Sequence, residues 1–112
     1  MKPIIIVSPF FTKLMSIFID VYAITLFPFI ISKEKMDDIT LNHEKIHIAQ
    51  QKELLVVFFY FLYVYYFIEN YLFYKDTHTA YMMIPFEREA YEHDGDLSYL
   101  SNRKRFRWLH YR

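Results

Sequence analysis

Two apolar patterns alternate along the chain. The first is short and β-branched. Ile4-Ile5-Ile6-Val7 is closed by Ser8-Pro9, and residues 18–31 are again rich in Ile, Val, Phe and Tyr, with Asp20 the one charge. Such runs bounded by turn residues predict strands over about residues 4–31. Pro28 interrupts Ile24-Thr25-Leu26-Phe27-Pro28-Phe29-Ile30-Ile31 and cannot donate to a ladder, so it predicts an edge strand or a bulge. A helix over residues 14–27 fits the same apolar run and stays open. Polar residues 32–38 then form a turn, and Asp37 and Asp38 are N-cap candidates for a helix whose apolar pattern starts at Leu41. The helical reading covers about residues 40–74, with room for one break. Asp76-Thr77-His78-Thr79 reads as a loop. Pro85 can open a further helix over about residues 86–100, which Asp94-Gly95 would weaken or end early.

The second pattern is one long apolar stretch. Residues 54–68, LLVVFFYFLYVYYFI, carry no charge, and Glu69-Asn70 separates them from Tyr71-Leu72-Phe73-Tyr74. A bilayer span needs roughly 20 apolar residues. The uncharged part is shorter, Glu69 interrupts it, and tyrosines lie within it rather than at its ends. A buried or interface helix, a helix seated on a membrane, and a true span all remain readings of this segment.

Composition narrows the field. The 112 residues fit one domain, residues 1–112, with a small core. Zero cysteines exclude a disulfide framework and thiolate metal sites. Balanced charge, 13 basic against 13 acidic side chains, argues against a nucleic-acid partner. Aromatic residues make up 21% of the chain, which suits a core, a membrane surface or a homodimer through an aromatic face. The N-terminus does not read as a signal peptide, which leaves a membrane-associated or a cytoplasmic location open. Charge is segregated: residues 76–100 carry Asp76, Glu87, Glu89, Glu92, Asp94 and Asp96 against Arg88, whereas the tail over residues 101–112 is purely basic. That tail is expected to be solvated, to touch anionic lipid, or to fold back over the acidic segment and hold the site latent.

The chemistry centres on His43-Glu44-Lys45-Ile46-His47. On a helix, positions i and i+4 share a face, so both imidazoles can reach one metal ion. Glu44 projects about 100° round from His43, where a general base for hydrolysis would stand. A hydrolytic zinc site wants three protein ligands, and without cysteine the third must be His, Asp or Glu. Glu87 lies on the later helix with Ala90 on its packing side, and is expected to be that ligand. Glu89 points elsewhere and is expected to accept an imidazole N–H or to be an alternative ligand. One zinc ion per chain is the implied cofactor. Chemically able oxyanion donors are His78, His93, Tyr81 and Arg88; His110 has no assigned role. The edge strand at Thr25, Leu26 and Phe27 would offer unpaired backbone to an extended peptide.

HEKIH followed by Gln50-Gln51, with Glu87-Arg88-Glu89-Ala90 downstream, resembles the gluzincin metallopeptidases. It is similar to their very short forms, and to small bacterial proteins with HExxHxxQQ and FEREAY segments, over roughly residues 23–110. The resemblance implies a small zincin-like α+β domain: a short N-terminal sheet with an edge strand, packed on two or three helices, one long and hydrophobic. It implies His43, His47 and Glu87 as ligands, Glu44 as base, and a peptide or protein as substrate. Tyr91 stands where such peptidases usually carry Asp, so Glu89, Asp94 or a backbone carbonyl would steady the ligand histidine. Two other readings compete. One is an inactive binding protein stapled by zinc, and the other a small membrane-associated protein with a fortuitous motif.

Overall fold

A computed structural model describes residues 3–8, 23–32 and 34–112. β-Branched residues build its three described strands: β1 (Ile4–Val7), β2 (Ala23–Leu26) and β3 (Phe29–Ser32). Their order is β1-β3-β2, with β1 parallel and β2 antiparallel to β3. Pro28 is neither within a strand nor at a bulge. It forms, with Phe27, the tight turn between β2 and β3, where its missing N–H is not needed, and the Phe27–Pro28 peptide is cis. The earlier part of the second apolar run, residues 18–22, lies outside the described residues. So does residues 14–22 of the helical alternative; residues 23–26 are strand.

Helix α1 (Asp38–Glu53) starts where Asp37 accepts a hydrogen bond from the Thr40 N–H at 2.7 Å, as the polar turn predicts. The break in the long helical stretch falls at Leu54-Leu55-Val56. Leu55 and Val56 both have positive φ, at 55° and 61°, which is strained for side chains of this shape. Helix α2 (Val57–Tyr74) leaves at 112° to α1. Among the described residues no single helix is long and apolar enough to cross a membrane; α1 and α2 together pass that test by length and composition.

The expected loop at Asp76 is a short helix, α3 (Thr77–Met82). Asp76 caps it by accepting from both the N–H and the hydroxyl of Thr79, so the loop-like composition is an N-cap. Helix α4 (Pro85–His93) begins with Pro85 in its first turn and stops at Asp94-Gly95, well short of Leu100. Another short helix, α5 (Tyr99–Asn102), and a 3-10 turn (Arg107–Tyr111) follow.

The core gathers Phe59, Ile84, Phe86 and Trp108, with Leu54, Leu62, Tyr66 and Phe67 packed around them. The tail is anchored at Trp108 and Tyr111, while most of its other residues stay exposed. Trp108 is 4% exposed and its ring lies 4.7 Å from that of Phe86. Ala90 is fully buried, and its small side chain lets α4 approach α1 closely. The fold is α+β, with α1 framed by β2 on one side and α4 on the other.

Candidate metal centre

His43 and His47 lie one turn apart on α1, and both are buried. Glu87 sits in the first turn of α4, where the positive end of the helix favours a carboxylate. It reaches across so that a single oxygen, Oε1, lies 3.1 Å from His43 Nε2 and 2.9 Å from His47 Nε2. One ligand atom from each of the three residues falls within 4.8 Å of the others, so the group could hold a metal ion.

The partners behind the imidazoles decide what those nitrogens offer. His43 Nδ1 donates to the Asp94 carboxylate at 3.1 Å. His47 Nδ1 faces Gln50 Oε1 at 2.7 Å. The orientation of that amide is forced, because Gln50 Nε2 is 3.0 Å from both the Phe86 carbonyl and the Glu89 carboxylate, which only accept. Both Nδ1 atoms therefore carry a hydrogen, and both Nε2 atoms face one anionic oxygen. Three electron pairs converging in a buried pocket repel unless a cation or a proton lies among them. That donor set, two imidazoles and a carboxylate with no thiolate, suits a divalent ion of the zinc type.

In the metal-free protein a proton plays the cation's part. Burial alone would lower the His47 pKa, but the Glu87 carboxylate beside it raises it to about 9. Burial would raise the Glu87 carboxyl, and the two imidazoles override it and hold it well below the usual carboxylate range. The second Glu87 oxygen accepts from the Tyr63 hydroxyl at 2.6 Å. Burial and the nearby Glu87 charge both push the Tyr63 phenol upward, so it stays a donor.

Glu44 is 8% exposed, and its Oε2 accepts a hydrogen bond from the Thr25 hydroxyl. Thr25 is in turn fixed by its carbonyl, which accepts from Gln51 Nε2 at 2.8 Å and from the Tyr60 hydroxyl. Gln51 Oε1 accepts the Phe27 N–H at 2.8 Å. One glutamine thus pairs with β2 as a neighbouring strand would. The edge at Thr25, Leu26 and Phe27 is an edge of the described sheet, but it does not offer a free docking edge there, because Gln51 already takes the Thr25 carbonyl and the Phe27 N–H.

The other expected residues divide by distance from the cluster. Glu89 does not touch an imidazole. It is fully buried one residue further back, holding Gln50, and accepts from Tyr99 at 2.7 Å and Arg103 at 2.5 Å. Asp94 supplies the bond to His43 instead. Tyr91 puts its ring edge-on to His43, with centroids 4.3 Å apart, and its hydroxyl is 2.8 Å from that of Tyr81. Tyr81 lies close enough that, after burial, the Glu87 charge is the main influence raising its pKa. His78 is exposed in the first turn of α3 beside Asp76. His93 stacks on Tyr99 at 3.9 Å and hydrogen-bonds the Tyr111 hydroxyl, while Arg88 donates to the Tyr111 carbonyl at 2.7 Å. Both side chains are engaged in packing the C-terminal segment.

Sequence reasoning missed Asn42, Tyr63 and the role of Gln50. Asn42 Nδ2 donates to the carbonyls of Asp94 and Asp96, each at 3.0 Å, which sets Asp94 against His43. Helical spacing carried a signal for Gln50, three residues after His47 on the same face. Tyr63 gave none, because its approach depends on the bend at Val56. Compared with protein-family models, with curated proteins and with solved structures, the chain matches none.

Proposed function

We propose that this chain is a small zinc-dependent hydrolase of peptide bonds, with the ligand set of a gluzincin: His43, His47 and Glu87. The observation that carries this reading is the convergence of two tautomer-fixed Nε2 lone pairs on one Glu87 oxygen. Three protein ligands also leave a position for water or substrate, as hydrolytic zinc sites require. Bound there, zinc supplies Lewis acidity, ionising water near neutral pH and polarising a carbonyl.

The chain's own residues do the rest. Glu44, steadied at Oε2 by Thr25, accepts the proton of the attacking water and returns it to the leaving nitrogen. Tyr81 and Tyr91 stand at the cluster as hydroxyl donors for the developing oxyanion. The two imidazoles keep Glu87 ionised, and Tyr63 holds its second oxygen. The exposed apolar face of α2, with Phe58, Phe61, Val64, Ile68, Leu72 and Phe73, supports a location on a membrane surface.

Glu44→Gln tests the reading. The variant should keep its zinc and lose peptide hydrolysis by about a hundredfold or more, measured on a broad peptide library. A variant that hydrolyses as fast as wild type would contradict it. A second reading, zinc as a structural staple in a binding protein, is favoured by the burial of all three ligands and Glu44. That reading gains if wild-type protein holds zinc and cleaves no peptide.

A further inference from the structure

We infer that Gln50 is a positioning residue for the metal centre, and that its grip on His47 is set from the C-terminal segment through Glu89 and Arg103. The inference rests on the reading that His43, His47 and Glu87 take a metal. Gln50 has two ends with opposite tasks. Its oxygen accepts the His47 Nδ1 hydrogen at 2.7 Å, and its nitrogen is pinned by two acceptors, the Phe86 carbonyl and Glu89 Oε1. An amide flip would set its oxygen against both acceptors and its N–H against the His47 N–H, so the flipped state is excluded. His47 is left with Nε2 as its metal-facing atom.

The hold continues outward. Glu89 is clamped by Arg103, through Nε at 2.5 Å and Nη2 at 3.1 Å. The same guanidinium reaches Glu53 with Nη1 at 2.9 Å and Nη2 at 3.0 Å. Arg103 thus presents paired donors to a carboxylate on each side, a geometry lysine cannot reproduce. Glu53 is the last residue of α1, the helix that carries both histidines, while Glu89 is on α4, the helix of Glu87. One side chain after α5 therefore ties together the two helices that supply the ligands.

This arrangement is a poor way to gain stability alone. Gln50 and Glu89 are fully buried, and the Arg103 side chain is 5% exposed. Desolvating two carboxylates, a guanidinium and an amide largely offsets their attraction, and apolar residues of equal volume would hold the helices as well. What apolar residues cannot do is fix the hydrogen on His47 Nδ1. Partners of this kind typically change metal affinity by roughly 10- to 100-fold.

The test uses the full chain carrying Gln50→Met or Arg103→Lys. Zinc affinity is measured by chelator competition, and the His47 Nδ1 hydrogen is followed by NMR in zinc-loaded protein labelled with 15N-histidine. Gln50→Met should weaken zinc by roughly 10- to 100-fold and bring the Nδ1 hydrogen into fast exchange with water. Arg103→Lys should act in the same direction by a few-fold. Unchanged affinity with a protected Nδ1 hydrogen in Gln50→Met would overturn the inference; if that variant does not fold, the same result in Arg103→Lys would do so. Wild-type protein that takes up no zinc would instead overturn the metal reading itself.

Discussion

His47 has an acceptor at each ring nitrogen, Gln50 on one side and Glu87 on the other, and one hydrogen cannot serve both. The metal-free protein meets this by taking a proton, and the pKa near 9 is the consequence of the adjacent carboxylate outweighing burial. Because the folded value is raised, the contribution to stability is complete below the unfolded value of about 6.5 and is lost as pH climbs through about 9. Urea unfolding in a chelator should therefore show about 3 kcal/mol of stability disappearing between pH 6.5 and pH 9.5, and Glu87→Gln should flatten the curve. A flat wild-type profile would contradict the pairing. At this scale the sequence was partly legible. Two histidines one turn apart need only helical geometry; a chain without cysteine leaves His, Asp or Glu as the third ligand, and Ala90 on the packing side of the later helix points to Glu87. Asp94 was one of three open alternatives for the bond to His43, and Glu89 was set one partner too close to the metal. Those choices depend on Asn42 drawing in the end of α4 and on Gln50 standing between Glu89 and His47, which are contacts between residues distant in sequence.

At the scale of elements, local chemistry spoke clearly where it was self-contained. Asp37 capped a helix, Pro85 opened one and Asp94-Gly95 closed it. It misled where the same composition serves two purposes. Asp76-Thr77-His78-Thr79 looks like a loop because an N-cap uses loop residues, and Pro28 sits in a turn because that also spares a ladder bond. The basic tail was more legible. Its charges allow a solvated end or a fold back over the acidic segment, and Arg103 does pair with Glu89 of that segment, as well as with Glu53 of α1, while Trp108 and Tyr111 are buried. Tyr111 also donates to Glu92, which further ties the tail to α4. Removing the tail after Ser101 should unfold the protein rather than unmask activity. Trp108→Ala, which empties the space beside Phe86, should lower the unfolding free energy by about 3–5 kcal/mol in chemical denaturation. A truncated chain that stays folded and hydrolyses faster than wild type would restore the latent-site expectation.

For the molecule as a whole, burial is uneven. The metal cluster and its supports are closed off, while α2 turns much of its apolar surface outward: Phe61 is 70% exposed and Leu72 69%. Aromatic abundance was visible in the sequence, but which face of α2 would be left open was not, because that depends on the 112° turn after Leu54. If that face rests on lipid, neutral phosphatidylcholine vesicles should co-sediment wild-type protein, and Phe61→Glu should weaken binding by at least roughly tenfold, as expected for losing one buried aromatic. Self-association without vesicle binding would point to pairing between copies through that face. The account nevertheless stands or falls on the triad. The most direct measurement is the zinc content of protein purified without a polyhistidine tag, compared with that of the His47→Ala/Glu87→Ala double variant. The account predicts about one zinc per chain in the wild type and almost none in the variant; a wild type free of zinc, or a variant that keeps it, would contradict it.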